Sequence, residues 1–211
     1  MPIITKGKYG KYTVKENKNL FLYPNEWRKV MKIAKPRQEL TINFQTNTGA
    51  RINEAQHIKP EDIDFNRNNI ILKVTKVKSK KKETKPTPRI IPISSAFTKY
   101  LKKKIREYKL KPEDYFPLLN KAAISIAIKN LTRKIGRKDW RDFSSHNLRK
   151  TFECWLIAIG IDGFKVAKHM GHTPSVALSS YISSDIFTYE DKIQIRDILG
   201  DLYSYNEGKG F

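Results

Sequence analysis

What most constrains this chain is a change of hydrophobic period part-way along it. Ile70 to Val77 and Arg89 to Ile93 are rich in β-branched residues and read as strands, with the polar, lysine-rich stretch Lys78 to Pro88 between them. After Ser95 the apolar residues return to helical spacing. The runs Ser95 to Tyr108, Lys121 to Ile135, Ser145 to Ile159, Phe164 to Met170, Pro174 to Tyr181 and Ile186 to Leu202 all predict helices. Upstream, Trp27, Val30, Met31 and Ala34 recur at i, i+3, i+4 and i+7 in a helix that starts near Pro24. Pro36 interrupts that pattern, and Leu40, Ile42 and Phe44 fall in the next element. The expected fold is therefore α+β and mostly α-helical, with a small antiparallel β-sheet carrying a basic tip. No internal repeat is present.

Charge limits the partners. Lys and Arg number 42 against 21 Asp and Glu, so a chain of 211 residues carries a formal charge of +21 and must spread positive potential over at least one face. A polyanion is the natural partner. A membrane surface is the weaker reading, because no run of about 18 apolar residues occurs. Met1 to Gly10 lacks the apolar core of a signal peptide, and the single Cys154 cannot form an internal disulfide. These features suit a reducing, cytoplasmic compartment. Two lysine clusters stand out, at 76 to 85 and 99 to 111. Solvated surface is the ordinary fate of such runs, but with this excess charge the first, including Lys76, Lys80, Lys81 and Lys82, is read as a DNA contact.

Four short stretches carry chemistry: Arg51 in Thr48-Gly49-Ala50-Arg51-Ile52-Asn53-Glu54, His146-Asn147-Leu148-Arg149, Gly171-His172, and Tyr181 nine residues beyond His172. Ser144 and Ser145 are good N-cap residues, so His146 and Arg149 fall on one face of the first helical turn, where free N–H groups and the dipole favour an anion. The ordinary alternative is a surface histidine and an exposed Arg149–Glu153 pair. Thr173-Pro174 signals another helix start, with His172 on the turn ahead of it. Gly49 and Ala50 are small enough to admit a phosphate near the backbone, and Glu54 could orient Arg51. Arginine suits phosphate because its planar fork donates two parallel hydrogen bonds and stays charged.

Order, spacing and residue type together resemble the tyrosine recombinase (phage integrase) family. The resemblance implies that Arg51 and Arg149 bind the nonbridging oxygens of a scissile DNA phosphate, with His146 and His172 assisting and Tyr181 as nucleophile. It implies a 3′-phosphotyrosyl intermediate, no cofactor, metal or ATP, and assembly as a homo-oligomer, in the family a tetramer, on double-stranded DNA. A lysine in the sheet turn is also implied. Lys78 is the best match, with Lys76 and Lys80 as close competitors in a loop longer than the family's usual one. Residues 1–20 are expected to be a basic arm or linker and residues 21–211 a catalytic domain with a C-terminal helix. That leaves no room for the family's N-terminal DNA-clamping domain, whether the chain is a catalytic half or a short relative.

Two rivals remain at this stage. A type IB topoisomerase shares the tyrosine chemistry, although it usually carries Lys where this chain has His146. A nonenzymatic DNA-binding protein could keep the fold without the reaction. His169 and His172 have a His-x-x-His spacing, but lacking a carboxylate or cysteine cluster His169 is read as a packing residue rather than a metal ligand. The stripe Ile195, Ile198, Leu199 and Leu202 either packs on its own domain or docks on a neighbouring protomer.

Overall fold

The computed structural model describes residues 20–73, 88–171 and 186–204 in full and the strands Ile3–Gly7 and Gly10–Val14 as backbone. Those two strands, β1 and β2, pair antiparallel with Ile3 opposite Val14 and Gly7 opposite Gly10. The segment expected as a basic arm thus holds a hairpin. Its Ile, Thr, Tyr and Val residues favour strands, but interleaved lysines dilute the pattern that would reveal them.

Helix α1 spans Pro24–Ile33 and α2 spans Pro36–Thr48, each with proline at its first turn. A proline there lacks only an N–H that would have no helical partner, and it forces Lys35 into extended backbone, which separates the two helices. Helix α2 is buried on nearly every side: Leu40, Ile42 and Phe44 are fully inaccessible, and so are Thr41, Thr46 and Thr48. Those threonines return their hydroxyls to carbonyls four residues back, with Thr48 Oγ1 2.6 Å from Phe44 O, so burial leaves no unmet donor.

A short α3, Ile52–Ala55, leads into the sheet. Strands β3 (Ile63–Asp64), β4 (Asn69–Leu72) and β5 (Arg89–Pro92) form an antiparallel sheet in sequence order, with Ile70 opposite Ile91 and Leu72 opposite Arg89. Ile70, Leu72 and Ile91 point into the core while Ile71 and Ile90 face outward, the alternation of a one-sided sheet. The strand pair expected from β-branched runs is present, and two-residue β3 is a third strand too short to carry a period.

Among the described residues five further helices follow: α4 (Ser95–Tyr108), α5 (Lys121–Lys134), α6 (Ser145–Ala158), α7 (Gly163–Met170) and α8 (Tyr189–Leu199). Side-chain caps start several of them; Ser94 Oγ accepts from Phe97 N at 3.1 Å and Asn120 Oδ1 from Ala123 N at 2.8 Å. The helix expected over Ile186–Leu202 is shorter, because Thr188 caps it and Gly200 closes it. The helix expected over Pro174–Tyr181 lies outside the described residues.

Helix α6 is the axis of the molecule and packs along α2. Phe152, Trp155 and Leu156 are fully buried, each contributing roughly 2 kcal/mol of hydrophobic stabilisation. Trp155 Nε1 donates to Leu22 O at 2.9 Å. Cys154 is buried here, and burial pushes its thiol up to about 12, as an inert packing residue requires. The C-terminal stripe joins the same cluster: Ile195, Leu199 and Leu202 are buried and Ile198 packs against them. That apolar face therefore belongs to its own domain rather than to a neighbour. On α8 the apolar residues left exposed are Tyr189 and Ile193.

Candidate active site

The site grows from the point where α2 ends. Gly49 terminates that helix with φ +59 and donates its N–H to Gln45 O at 2.9 Å. A Cβ at Gly49 would lie 2.6 Å from both Met170 Sδ and Phe152 Cδ1, so the turn is pressed against α7 and α6. Helix packing and a left-handed backbone thus require glycine here.

Arg51 emerges two residues later as the cap of α3. Its backbone N–H donates to Glu54 Oε2 at 2.8 Å, its Nη1 to Glu54 Oε1 at 3.0 Å and its Nη2 to Gly171 O at 3.2 Å. The Arg51 side chain remains 47% exposed, whereas that of Glu54 is only 2% exposed. The pair forms, but it is not a surface salt bridge. Glu54 is gripped a second time by Arg89 at the start of β5, whose Nη1 and Nη2 meet Oε1 and Oε2 at 2.7 and 2.8 Å. Burial would raise the Glu54 pKa; the Arg89 and Arg51 contacts outweigh it and hold the carboxyl below its usual range.

Arg149 comes up from the first turn of α6. Ser144 caps that helix, giving its N–H to Asn147 Oδ1 at 2.7 Å. Arg149 is 4% exposed, so the exposed pairing with Glu153 is not what it forms. Its Nη1 donates to Gly49 O at 2.5 Å and its Nη2 to Met170 O. Burial first, then the charges of Arg51 and Arg89, lower its pKa to about 10 against the smaller pull of Glu54 and Glu153. The guanidinium still carries its charge at neutral pH, in a field that an arriving anion would relieve. His146, one turn earlier and solvent-exposed, has its pKa lowered by partial desolvation and by Arg149, Lys150 and Arg51, which favours neutral imidazole.

Both expected arginines therefore end on one short turn, Met170–Gly171, where Gly171 takes φ +65 and closes α7. His172 is the next residue in the chain. His172 and Tyr181, together with Lys76, Lys78, Lys80, Lys81 and Lys82, lie outside the described residues.

His169 supports this turn from behind. Its Nε2 is 3.0 Å from Thr48 O, which can only accept, so Nε2 carries the proton and Nδ1 accepts from Tyr203 OH at 2.7 Å. Burial, opposed by the Thr48 contact and aided by Arg89 and Arg149, lowers its pKa to about 4. With both nitrogens engaged, His169 acts in packing and has no lone pair for a metal. Among the described residues no group of three His, Cys, Asp or Glu side chains could hold one.

Sequence reasoning missed Arg89, Met170 and the Gly49 carbonyl. Arg89 opened a β-branched run and gave no sign of its partner 35 residues earlier. Only the register of Leu72 with Arg89, set by tertiary packing, carries it to Glu54.

The model of the phage integrase family matches residues 20–186. Among solved structures, the Tn1549 transposon integrase bound to transposon right-end DNA superposes with TM-score 0.62 at 17% identity, over 86% of this chain and 67% of that one. XerA recombinase gives 0.59 at 19% identity, over 84% and 64%. XerH site-specific recombinase in a post-cleavage complex with difH substrate gives 0.57 at 21%, over 84% and 51%. The chain thus spans between half and two thirds of these proteins, and at such identities they establish its fold. No curated protein matches the sequence.

Proposed function

The chain belongs to the phage integrase family of tyrosine recombinases, and on that premise we propose that it cuts and rejoins DNA strands at specific sites through a covalent 3′-phosphotyrosyl intermediate. One observation carries the reading. Arg51 and Arg149, 98 positions apart in sequence, both donate to the Met170–Gly171 turn, which His172 follows in sequence.

In the proposed reaction the Tyr181 oxygen attacks the phosphorus in line and the 5′ oxygen leaves. A 5′ hydroxyl of another strand later attacks the phosphotyrosyl bond and frees the tyrosine. Arg51 and Arg149 hold the nonbridging oxygens and stabilise the charge that spreads over them, the larger part of catalysis in phosphoryl transfer. Arg149 spends one hydrogen bond from each Nη on the scaffold, which leaves its remaining donors for phosphate. His146, held toward its neutral form, accepts or orients the tyrosine proton. His172 assists at the phosphate. Lys78, or its neighbour Lys76 or Lys80, protonates the leaving oxygen. Metal and ATP have no role in this scheme, since the bond energy is kept in the protein–DNA link.

Double-stranded DNA is the proposed partner, as for the DNA-bound integrase and XerH structures, with Lys76, Lys80, Lys81 and Lys82 as backbone contacts and a tetramer as the working assembly. No helix among the described residues is long and apolar enough to cross a membrane. The decisive test is incubation with a suicide duplex, scoring protein covalently joined to the 3′ end. Wild type should form the adduct and Tyr181→Phe should not; an adduct that persists in the variant refutes the assignment. Recombination between two sites, set against supercoil relaxation by the same preparation, separates a recombinase from a topoisomerase.

A further inference from the structure

The residue of this site that the proposed chemistry leaves unused is Arg89. It is a strand residue with a side chain only 15% exposed, and it meets both oxygens of Glu54 in the fork-to-fork geometry that makes arginine–carboxylate pairs strong. It also lies along the Met170–Gly171 turn: a Cβ added to Gly171 would come 3.1 Å from Arg89 Nη1 and 3.3 Å from its Cδ. Its Nε is buried with no hydrogen-bond partner among the described residues, so no second carboxylate there shares the load. Arg89 thus touches the two elements that hold Arg51, namely Glu54 and the Gly171 turn.

We infer that Arg89 is a positioning residue that keeps Arg51 available to a phosphate by neutralising Glu54 in its place. What matters is which cation satisfies the buried carboxylate. Glu54 cannot remain charged at 2% exposure without close donors. With Arg89 covering both oxygens, Arg51 needs to spend only Nη1 and its backbone N–H on Glu54, and apart from the Nη2 bond to Gly171 O its half-exposed fork stays available. Without Arg89, Arg51 is, among the described residues, the remaining cation within hydrogen-bond reach of Glu54 and turns inward to pair with it. The pocket then loses charge and the fork that should meet the phosphate. Arg89 also adds to the positive field at Arg149. Lysine at 89 would be a partial substitute, because a point charge cannot span both oxygens.

This inference rests on reading the site as a phosphate-transfer centre, so the test carries one arm independent of DNA cleavage. Inorganic phosphate is titrated against thermal stability in wild type, Arg51→Met, Arg89→Met, Arg89→Lys and Glu54→Gln. The stabilisation lost in Arg51→Met measures what the pocket contributes above diffuse binding to a +21 protein. Arg89→Met should lose most of that increment and Arg89→Lys about half, with the melting curve without phosphate showing that each variant is folded. In the second arm, single-turnover adduct formation at saturating suicide duplex should fall roughly tenfold or more in Arg89→Met, while duplex affinity stays within about twofold. Adding Arg89→Met to Glu54→Gln should cost less than about twofold further, because the two act in series.

The inference is overturned if Arg89→Met keeps the phosphate increment, if Arg51→Met removes none, or if the Arg89 and Glu54 effects multiply independently. Should Arg89→Met fail to fold, Arg89→Lys decides: folded with the full increment, it overturns the inference, and folded with a reduced one, it supports it. If wild type forms no adduct while the phosphate increments follow this order, the proposed reaction falls and the positioning role stands.

Discussion

Replacing Gly49 with alanine should damage both stability and the candidate active site, by amounts the structure allows to be separated. The first cost is backbone strain: Gly49 sits at φ +59, where an L side chain crowds the following carbonyl, for about 1–2 kcal/mol. The second is overpacking, because the new Cβ would stand 2.6 Å from Met170 Sδ and Phe152 Cδ1. Met170 can swing its sulfur aside. Phe152 cannot easily retreat, being fully buried with its ring 5.0 Å from that of His169. Overpacking of this kind costs roughly 1–3 kcal/mol, so the sum is about 2–5 kcal/mol of a total that for a domain is about 5–15.

Gly160→Ala is the matched control. It has φ +87 and nothing within 4 Å of its added Cβ, so it should show strain alone. Urea unfolding of the two variants and wild type gives the comparison, and the excess for Gly49→Ala is the packing share. Because Gly49 O receives Arg149 Nη1, movement of this turn should also slow adduct formation per folded molecule about tenfold or more. A Gly49→Ala variant no more destabilised than Gly160→Ala would refute the packing share.

Arg149→Ala should abolish adduct formation while leaving most duplex binding, which depends on many lysines and should fall steeply with salt in wild type and variant alike; a filter-binding salt series checks it. His169 should make stability pH-dependent. Its folded pKa of about 4 lies below the unfolded value near 6.5, so the neutral form is favoured by folding; the contribution is fully present above pH 6.5 and is lost as pH falls toward 4, up to about 3 kcal/mol. His169→Gln should flatten that window in urea titrations from pH 7 to 4.5, and an unchanged slope would remove the argument. Leu199→Ala should cost about 2–5 kcal/mol, because this side chain is 1% exposed in the Trp155 cluster; a change under 1 kcal/mol would return the C-terminal stripe to the role of a docking surface.

Much of the architecture was readable in the order of residues, and particular elements show why. Ser95 to Tyr108 reads as a helix because its apolar period lies within one short run of consecutive residues, and the structure places α4 at those bounds with Ser94 as its cap. The pairing of β1 with β2 was missed because its partners declare themselves only by pairing. The C-terminal stripe shows another limit: Ile195, Leu199 and Leu202 have the spacing of an apolar face, but spacing is silent on which surface covers it. Glu54 was placed beside Arg51 by its position three residues on. Its burial, and its second arginine, were not legible.

The sequence by itself determined the family and the helical fold with its small sheet, and it named the groups proposed to meet a phosphate, because local periodicity, caps and a spaced set of polar residues are written along the chain. The tertiary structure decided how the described groups are held. It ties Arg149 to Gly49 and Met170, ties Arg51 to Gly171, and gives Glu54 to Arg89 as well as to Arg51. The physical reason is that a buried charge is shaped by whatever the fold brings against it. Partners 21 to 120 residues apart meet through packing that no local pattern records.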